Sequence, residues 1–402
     1  MNSDQGAELL LKGVKGFHGK FKKMYGQMAL RLDDDRYIVT GDNKLLAGIV
    51  ENDLLVCDIN TGDLGKLMGI MPEVNAFIFG CSQDLVEASN SEEGLPIAID
   101  DIAQIAGTSV EIIENTDPIK MANALRNGSI CLVKGIGGVS VGSNMKKAVA
   151  AIQILAKSCE AYVHGKMIGG VKPLPESAIK SLRADFMQNY VQTNEGDSVP
   201  FIGFDEETFA LRTSIIETGK DLVRSDLVYG SWGNVSVKID EHKMLITPSS
   251  MDYFEIGIED IVEVDIDTLQ YGQQRVPSTE VALHARMYRE IPDCNAIIHT
   301  HSNAISVFAA CEAGFAMPDP KMQQIIGDVR VVPYAPAGTE ELAQNIVATM
   351  KGTHAAILSH HGAIFYGPSP EVVFKIAEAV ELMARKLLAF DARPEEDDEE
   401  KQ

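Results

Sequence analysis

The feature that most constrains this chain is that it repeats itself. The segment YGQMALRLDDDRYIVTGDNKLLAGIVENDLLVCDINTG, from Tyr25, lies without a gap on WGNVSVKIDEHKMLITPSSMDYFEIGIEDIVEVDIDTL, from Trp232. Glycines coincide, as do Thr40 with Thr247, Asp53 with Asp260 and Asp58 with Asp265. Farther along, MPEVNAFIFGCSQD falls on IPDCNAIIHTHSNA, and CLVKGIGGVSVG falls on AILSHHGAIFYG. The order is the same in both halves, which marks two copies of one unit. At 402 residues, the chain gives each copy enough length for its own core. The expected organisation is a first domain over 1–190, a polar Gly- and Pro-containing linker over 191–200 and a second domain over 201–390. The tail 391–402 carries RPEEDDEEKQ, which has almost nothing apolar to bury and reads as disordered.

Each copy reads as an α/β unit. In the second, FDEETFALRTSIIETGKDLVRSDL has helical periodicity with acids near its start. STEVALHARMYREI is a second helix, capped by Ser278 or Thr279, and EVVFKIAEAVELMARKLLAF is a long closing helix. KMLITP, IVEVDID, NAIIHTH and AAILSHH are rich in Ile and Val and bounded by turns, as strands are.

Composition excludes several functions. A net charge of −23 argues against sequence-independent nucleic-acid binding, which depends on Lys and Arg at phosphates. No basic stretch followed by a long apolar core opens the chain, and no run of about 18 apolar residues occurs, so neither a secretory signal nor a membrane partner is expected. Six irregularly spaced cysteines without a CxxC pair read as reduced thiols of a cytoplasmic protein.

The chemistry concentrates in the second copy. In NAIIHTHSNAISVF, a period of 2 puts Ile297, His299 and His301 on one strand face and turns Thr300 away. Two imidazoles side by side in an apolar run suggest a metal. LSHHGA supplies a third candidate, either His360 or His361, since only one of them faces the same side. Glu280 adds a carboxylate, completing three nitrogens and one oxygen, a set suited to Zn²⁺ or another divalent transition metal. His284 lies one turn after Glu280 and reads as a surface residue or as an outer-sphere neighbour of the metal. A second group consists of Asn234, Ser249, Ser250, Ser278 and Thr279, whose turns and helix N-terminus suit an oxyanion such as phosphate.

GNVSVKID, LITPSS, PSTEVALHARMYREIPDCNAIIHTHS and SHHGAIFYG, in this order and spacing, resemble the class II aldolase/adducin family over roughly 200–390. The resemblance implies α/β/α layers: two tandem class II aldolase-like domains, each with a central, mainly antiparallel sheet between helices. It implies His299, His301 and His361 as metal ligands, and Glu280 as fourth ligand or as catalytic acid/base. It also implies Asn234, Ser249, Ser250, Ser278 and Thr279 as the phosphate site. The implied activity is metal-dependent cleavage or formation of a ketose phosphate through a metal-held enediolate. Epimerisation or dehydration of a ketose phosphate is the alternative within the family, and an adducin-like assembly role is the alternative outside catalysis. Family sites lie between neighbouring domains, so a homodimer closing a four-domain ring is the expected assembly.

Two positions depart from the family pattern. Ser250 stands where glycine is frequent, and AMPDPKMQQIIG has Met322 where fuculose-phosphate aldolase carries a catalytic tyrosine. The first copy has lost the ligands: Phe79, Cys81 and Ile136 align with His299, His301 and His361, and Gln27 and Asn43 with Asn234 and Ser250. It reads as structural or regulatory. Its loop LPIAIDDIAQ nevertheless offers Asp100 and Asp101 near the place of the absent tyrosine, either as proton donors or as first-turn acids of a surface helix.

Overall fold

The computed structural model describes residues 1–186, 206–229, 232–272 and 275–389. The expected linker 191–200 and acidic tail 391–402 lie outside these residues.

The first half builds strands β1 (Tyr25–Arg31), β2 (Arg36–Thr40), β3 (Lys44–Leu45), β4 (Leu54–Asp58), β5 (Ala76–Cys81), β6 (Ile112–Ile113), β7 (Ile130–Val133) and β8 (Gly137–Gly142). The second builds β9 (Asn234–Lys238), β10 (Lys243–Ile246), β11 (Val262–Asp265), β12 (Ala296–Thr300), β13 (Arg330–Val332), β14 (Ala355–Leu358) and β15 (Gly362–Gly367). The two sheets run β4-β2-β1-β5-β8-β7-β6 and β11-β10-β9-β12-β15-β14-β13, with β3 added to β1 in the first. Position for position this is one topology used twice. All pairings are antiparallel except β6 with β7 and its counterpart β13 with β14.

Strand alternation assigns each face its own core. Met28 and Leu30 of β1, with Ile130 and Leu132 of β7, enter one apolar cluster, whereas Ala29, Cys131 and Val133 enter the other. In the second sheet Ile298 faces one cluster and Ile297 the opposite one. Each sheet is therefore covered on both sides, which gives the α/β/α layering expected from the sequence.

The repeat extends to individual bonds. Met28 N donates to Thr40 Oγ1 at 3.0 Å, and Val235 N to Thr247 Oγ1 at 3.2 Å. Val50 N donates to Asp53 Oδ2 at 3.0 Å, and Gly257 N to Asp260 Oδ2 at 2.8 Å. The coincident Thr and Asp residues of the alignment thus do the same local work in both halves, fixing the β1–β2 and β9–β10 ladders and the turns that follow.

The domains are packed together. The Asn303–Cys311 helix of the second lies on the Met145–Gly165 helix of the first. Ala98, Ile99 and Ala161 join the second domain's core, while Tyr229, Trp232 and Tyr334 pack on that of the first. This contact places the start of the Asp100–Ala106 helix beside the ends of β12 and β14, where the histidines lie. All six cysteines are free, and four of them are buried. No helix among the described residues is long and apolar enough to cross a membrane.

Candidate metal centre

Strand β12 is buried along its whole length and ends at Thr300, so His301 stands just beyond it rather than within it. Its side chain still turns to the same side as His299, and the two Nε2 atoms lie 2.8 Å apart. Ser359 to His361 likewise form a turn between β14 and β15 instead of extending β14. His360 takes a left-handed conformation there, with φ +62°. That turn separates the adjacent histidines. His360 Nδ1 donates to the Ala98 carbonyl at 3.0 Å, away from the cluster, while the His361 ring stacks on His299 at 4.9 Å.

Glycine at 362 makes this approach possible. A Cβ on Gly362 would sit 2.2 Å from the Thr300 carbonyl oxygen, and one on its counterpart Gly137 would sit 2.4 Å from that of Gly80. Gly362→Ala is therefore expected to push β15 off β12, destabilise the protein by about 1–3 kcal/mol and displace His361. Thermal unfolding and zinc titration of the same sample check it; a variant with unchanged midpoint and metal affinity would contradict it.

Glu280 sits at the start of the Val281–Glu290 helix, in the N-cap position. Neither Ser278 nor Thr279 caps the helix as the sequence suggested. The Ser278 backbone is instead engaged with Thr247, and its Oγ accepts from Glu280 N at 3.3 Å, so the helix starts two residues later. Glu280 is buried, with Oε2 3.3 Å from His299 Nε2 and Oε1 3.3 Å from His361 Nε2. Asn234, expected at the phosphate site, spends its amide on Glu280 Oε2 at 2.7 Å. The antiparallel bridge between Pro248 and Pro277 ties the two hydroxyl-bearing segments together, with Ser249 N donating to the Val276 carbonyl and Ser278 N to that of Thr247. Ser250 has φ +62°, which accounts physically for the glycine frequent at this position. His284 is fully buried, which removes the surface reading; its Nδ1 pairs with Ser236 Oγ at 2.6 Å, and Ser236 in turn meets Tyr288 OH at 2.7 Å.

The outward nitrogens of the three clustered imidazoles are all engaged. His299 Nδ1 lies 2.9 Å from the Ala363 carbonyl, His301 Nδ1 3.3 Å from Asp101 Oδ2 and His361 Nδ1 3.0 Å from Asp100 Oδ2. A carbonyl oxygen only accepts, so His299 carries its proton on Nδ1 and presents a bare Nε2. Burial pushes His299 down to about 3 and lowers His301 as well, keeping both rings neutral. Burial alone would raise the Asp101 carboxyl, but the Lys157 ammonium at 2.7 Å and the His301 ring hold it well below the usual carboxylate range. Ionised Asp101 accepts from His301 Nδ1, which leaves His301 Nε2 bare too. Two lone pairs facing one another at this distance repel, and a cation beside them relieves that repulsion. Glu280, which burial alone would raise, is held well below its usual range by His299 and His361 and supplies the negative charge. Its Oε1 and His361 Nε2 are buried without a well-aligned hydrogen bond. Among the described residues, His299, His301 and His361 form the one group of three or more such side chains whose ligand atoms converge, all within 4.8 Å. Two neutral imidazoles and a third, His361, that can give up its proton to a metal, all with Nδ1 anchored, plus an ionised carboxylate, fit a divalent metal.

Asp100 and Asp101 are buried, so they are not the first-turn acids of a surface helix. Sequence reasoning placed them near the site but missed Lys157, a buried lysine that also lies 5.5 Å from the Trp232 ring, itself 6.0 Å from His301. Nothing in the local sequence of a long apolar helix marks Lys157; only its aligned position, Leu382, differs in kind. Tyr334 was missed as well. Its hydroxyl is buried without a hydrogen-bond partner, and its ring stands edge-on to His360 at 5.5 Å.

The family model described as Class II Aldolase and Adducin N-terminal domain matches residues 16–163 and 213–388. The chain is 32% identical over 179 residues to a 5-deoxy-D-ribulose 1-phosphate aldolase of Bacillus thuringiensis serovar kurstaki, covering 43% of this chain and 82% of that one. It is 30% identical over 183 residues to the L-fuculose phosphate aldolase of Escherichia coli strain K12, covering 44% and 82% respectively. A solved L-fuculose 1-phosphate aldolase is similar over 46% of this chain and 92% of its own, with 34% identity and a TM-score of 0.43. With both halves matched and one topology built twice, the chain belongs to the class II aldolase and adducin N-terminal domain family and carries that domain in tandem.

Proposed function

We propose that this protein is a divalent-metal-dependent aldolase that cleaves or forms a phosphorylated ketose, with its active centre in the second domain. The observation that carries the reading is the pair of bare, facing Nε2 atoms of His299 and His301, with His361 and buried Glu280 at their side. His299, His301 and His361 would hold the ion, Zn²⁺ or another divalent transition metal, with Glu280 as fourth ligand or as acid/base. Bound there, the ion supplies a Lewis acid for the oxygens of the ketose. Glu280 is ionised and fixed by Asn234, so it is placed to move a proton at the carbon next to the bond that breaks. Ser249, Ser250, Ser278 and Thr279 hold the phosphate through hydroxyls and turn N–H groups. The relatives named above act, by name, on 5-deoxy-D-ribulose 1-phosphate and L-fuculose phosphate, which makes phosphorylated ketoses the class to screen first.

The test incubates the full chain, with and without added Zn²⁺, with a panel of ketose 1-phosphates and follows the carbonyl products. Release of triose phosphate and an aldehyde, abolished by chelator, is expected. Products that keep the carbon skeleton would assign epimerisation or dehydration instead. A protein without affinity for divalent metals would favour the adducin-like assembly role.

The same reading includes the ring. The interdomain contact uses different surfaces of the two copies, the Asn303–Cys311 helix of one and the Met145–Gly165 helix of the other. In the second domain the helix aligned with Met145–Gly165 is Pro370–Leu387, and Val372, Leu382 and Leu387 are exposed on it. A head-to-tail contact of this kind leaves one free surface of each type, and two chains close it into four alternating domains. Sedimentation is expected to give a dimer, which Leu382→Glu weakens; a wild-type monomer in dilute solution would refute the ring.

A further inference from the structure

We propose that Asp100 and Asp101, in the domain that has no ligands of its own, are positioning residues of the metal centre in the other domain. The inference rests on the metal-centre reading above. Of the three clustered imidazoles, only His299 has its Nδ1 anchored by its own domain, through the Ala363 carbonyl at 2.9 Å. His301 and His361 reach across the domain boundary, to Asp101 Oδ2 at 3.3 Å and to Asp100 Oδ2 at 3.0 Å. A ligating imidazole needs its second nitrogen bonded, because that bond fixes which nitrogen carries the proton and how the ring is turned. Without the first domain, two of the three rings lack that bond.

The placement of these carboxylates is built into the backbone. Asp100 N donates to the His360 carbonyl at 2.8 Å, and His360 Nδ1 donates to the Ala98 carbonyl at 3.0 Å. These two bonds clamp the turn that carries His361 onto the segment that carries Asp100. Asp101 is held at the same Oδ2 by Lys157 Nζ at 2.7 Å, a lysine of the Met145–Gly165 helix that forms the domain contact. Both acids meet the Nδ1 edges of the rings, not the Nε2 edges, which face Glu280 from His361 and His299 from His301. That geometry suits acceptors that orient a ligand, and it sets these residues apart from donors that would hand a proton to substrate. The loss of ligands from the first copy and its retention as a full domain then have one explanation: it holds the second copy's imidazoles in place.

The test measures zinc affinity of the full chain by competition with a chromophoric chelator, alongside the absorption spectrum of the cobalt-substituted protein. Asp100→Ala is expected to bind zinc about 10–100-fold more weakly than the wild type and to shift the cobalt spectrum. Asp100→Asn, whose amide oxygen still accepts from His361 Nδ1, is expected to stay within a few-fold. Asp101→Ala alone strands a buried lysine, so the Asp101→Leu/Lys157→Met pair keeps the second arm informative, with an expected loss of the same size. Circular dichroism and unfolding midpoints establish that each variant is folded. Folded Asp100→Ala and Asp101→Leu/Lys157→Met proteins that bind zinc as the wild type does would overturn the proposal. So would variants that lose turnover with zinc affinity and cobalt spectrum unchanged, since the acids would then be proton-transfer groups. A wild type that binds neither zinc nor cobalt fails the metal-centre reading itself, and is told apart because it needs no variant.

Discussion

His361→Ala is expected to lose nearly all bound metal and all turnover, while His360→Ala keeps its metal. The two residues are neighbours, but the left-handed turn at His360 sends their rings to different places. Removing His361 leaves two imidazoles and a carboxylate, and Glu280 Oε1 faces a void where it had a partner at 3.3 Å. His299→Ala removes a ligand at the centre of the group, where the ring faces both His301 and Glu280, and is expected to be as severe. Metal content of purified variants after zinc loading measures this directly. Metal uptake also has a pH signature. Burial alone would lower His361, but Asp100 and Glu280 outweigh it and push the metal-free ring up to about 10. A metal needs the bare Nε2, so binding at neutral pH displaces a proton, and affinity rises with pH until the ring titrates. Calorimetry in two buffers of different ionisation enthalpy reads the released proton. If His361→Ala retains zinc and His360→Ala loses it, the ligand assignment is wrong.

The sequence made the duplication, the layered fold and the histidine cluster legible for physical reasons particular to each. The repeat was visible because Thr40 and Thr247, and Asp53 and Asp260, bond the same backbone groups in both copies, so their identity is tied to local geometry. The HxH pair was visible because imidazoles are costly among Ile297, Ile298 and Ile305 unless they have work to do. Periodicity alone left His360 and His361 open, because it assumes a strand, and the chain there is a turn whose direction depends on one positive φ. The Ser278 or Thr279 cap failed for a related reason: propensity describes a free helix end, and here Ser278 is held by Thr247 across the Pro248–Pro277 bridge. The place of Asn234 in a turn suits a phosphate contact, and nothing short of the fold shows that its amide also reaches Glu280. The contribution of the first domain was the least legible. Asp100 and Asp101 are some 200 or more residues from their partners, the pairs being separated by 261 and 200 positions, and no local pattern encodes such a contact.

Lys157→Met is expected to destabilise the folded protein by about 3–5 kcal/mol, the range for removing one partner of a buried ion pair. Lys157 and Asp101 are both nearly inaccessible, at 3% and 9% side-chain exposure, and they meet at 2.7 Å. With the ammonium gone, Asp101 keeps only its contact with the neutral His301 ring, and a carboxylate is left uncompensated between two domains. The unfolding midpoint is expected to fall by roughly 10 °C, on the scale of about 2–4 °C per kcal/mol for a domain of this size. Replacing both members, Asp101→Leu with Lys157→Met, is expected to recover much of that loss because no charge remains buried. The pair also sets an acid limit on the wild type. The folded Asp101 lies below its unfolded value, so its contribution is fully present above about pH 4, near the ordinary aspartate value of about 3.9, and is lost as pH falls toward its depressed folded value. Lys157→Met would then lose less stability than the wild type between neutral pH and pH 3, since its remaining carboxylate is less strongly held. Unfolding of wild type, Lys157→Met and the double variant at pH 7 and pH 3 tests the whole argument. A single variant that melts with the wild type, or a double variant that melts below the single one, would show that the domain contact does not depend on this pair.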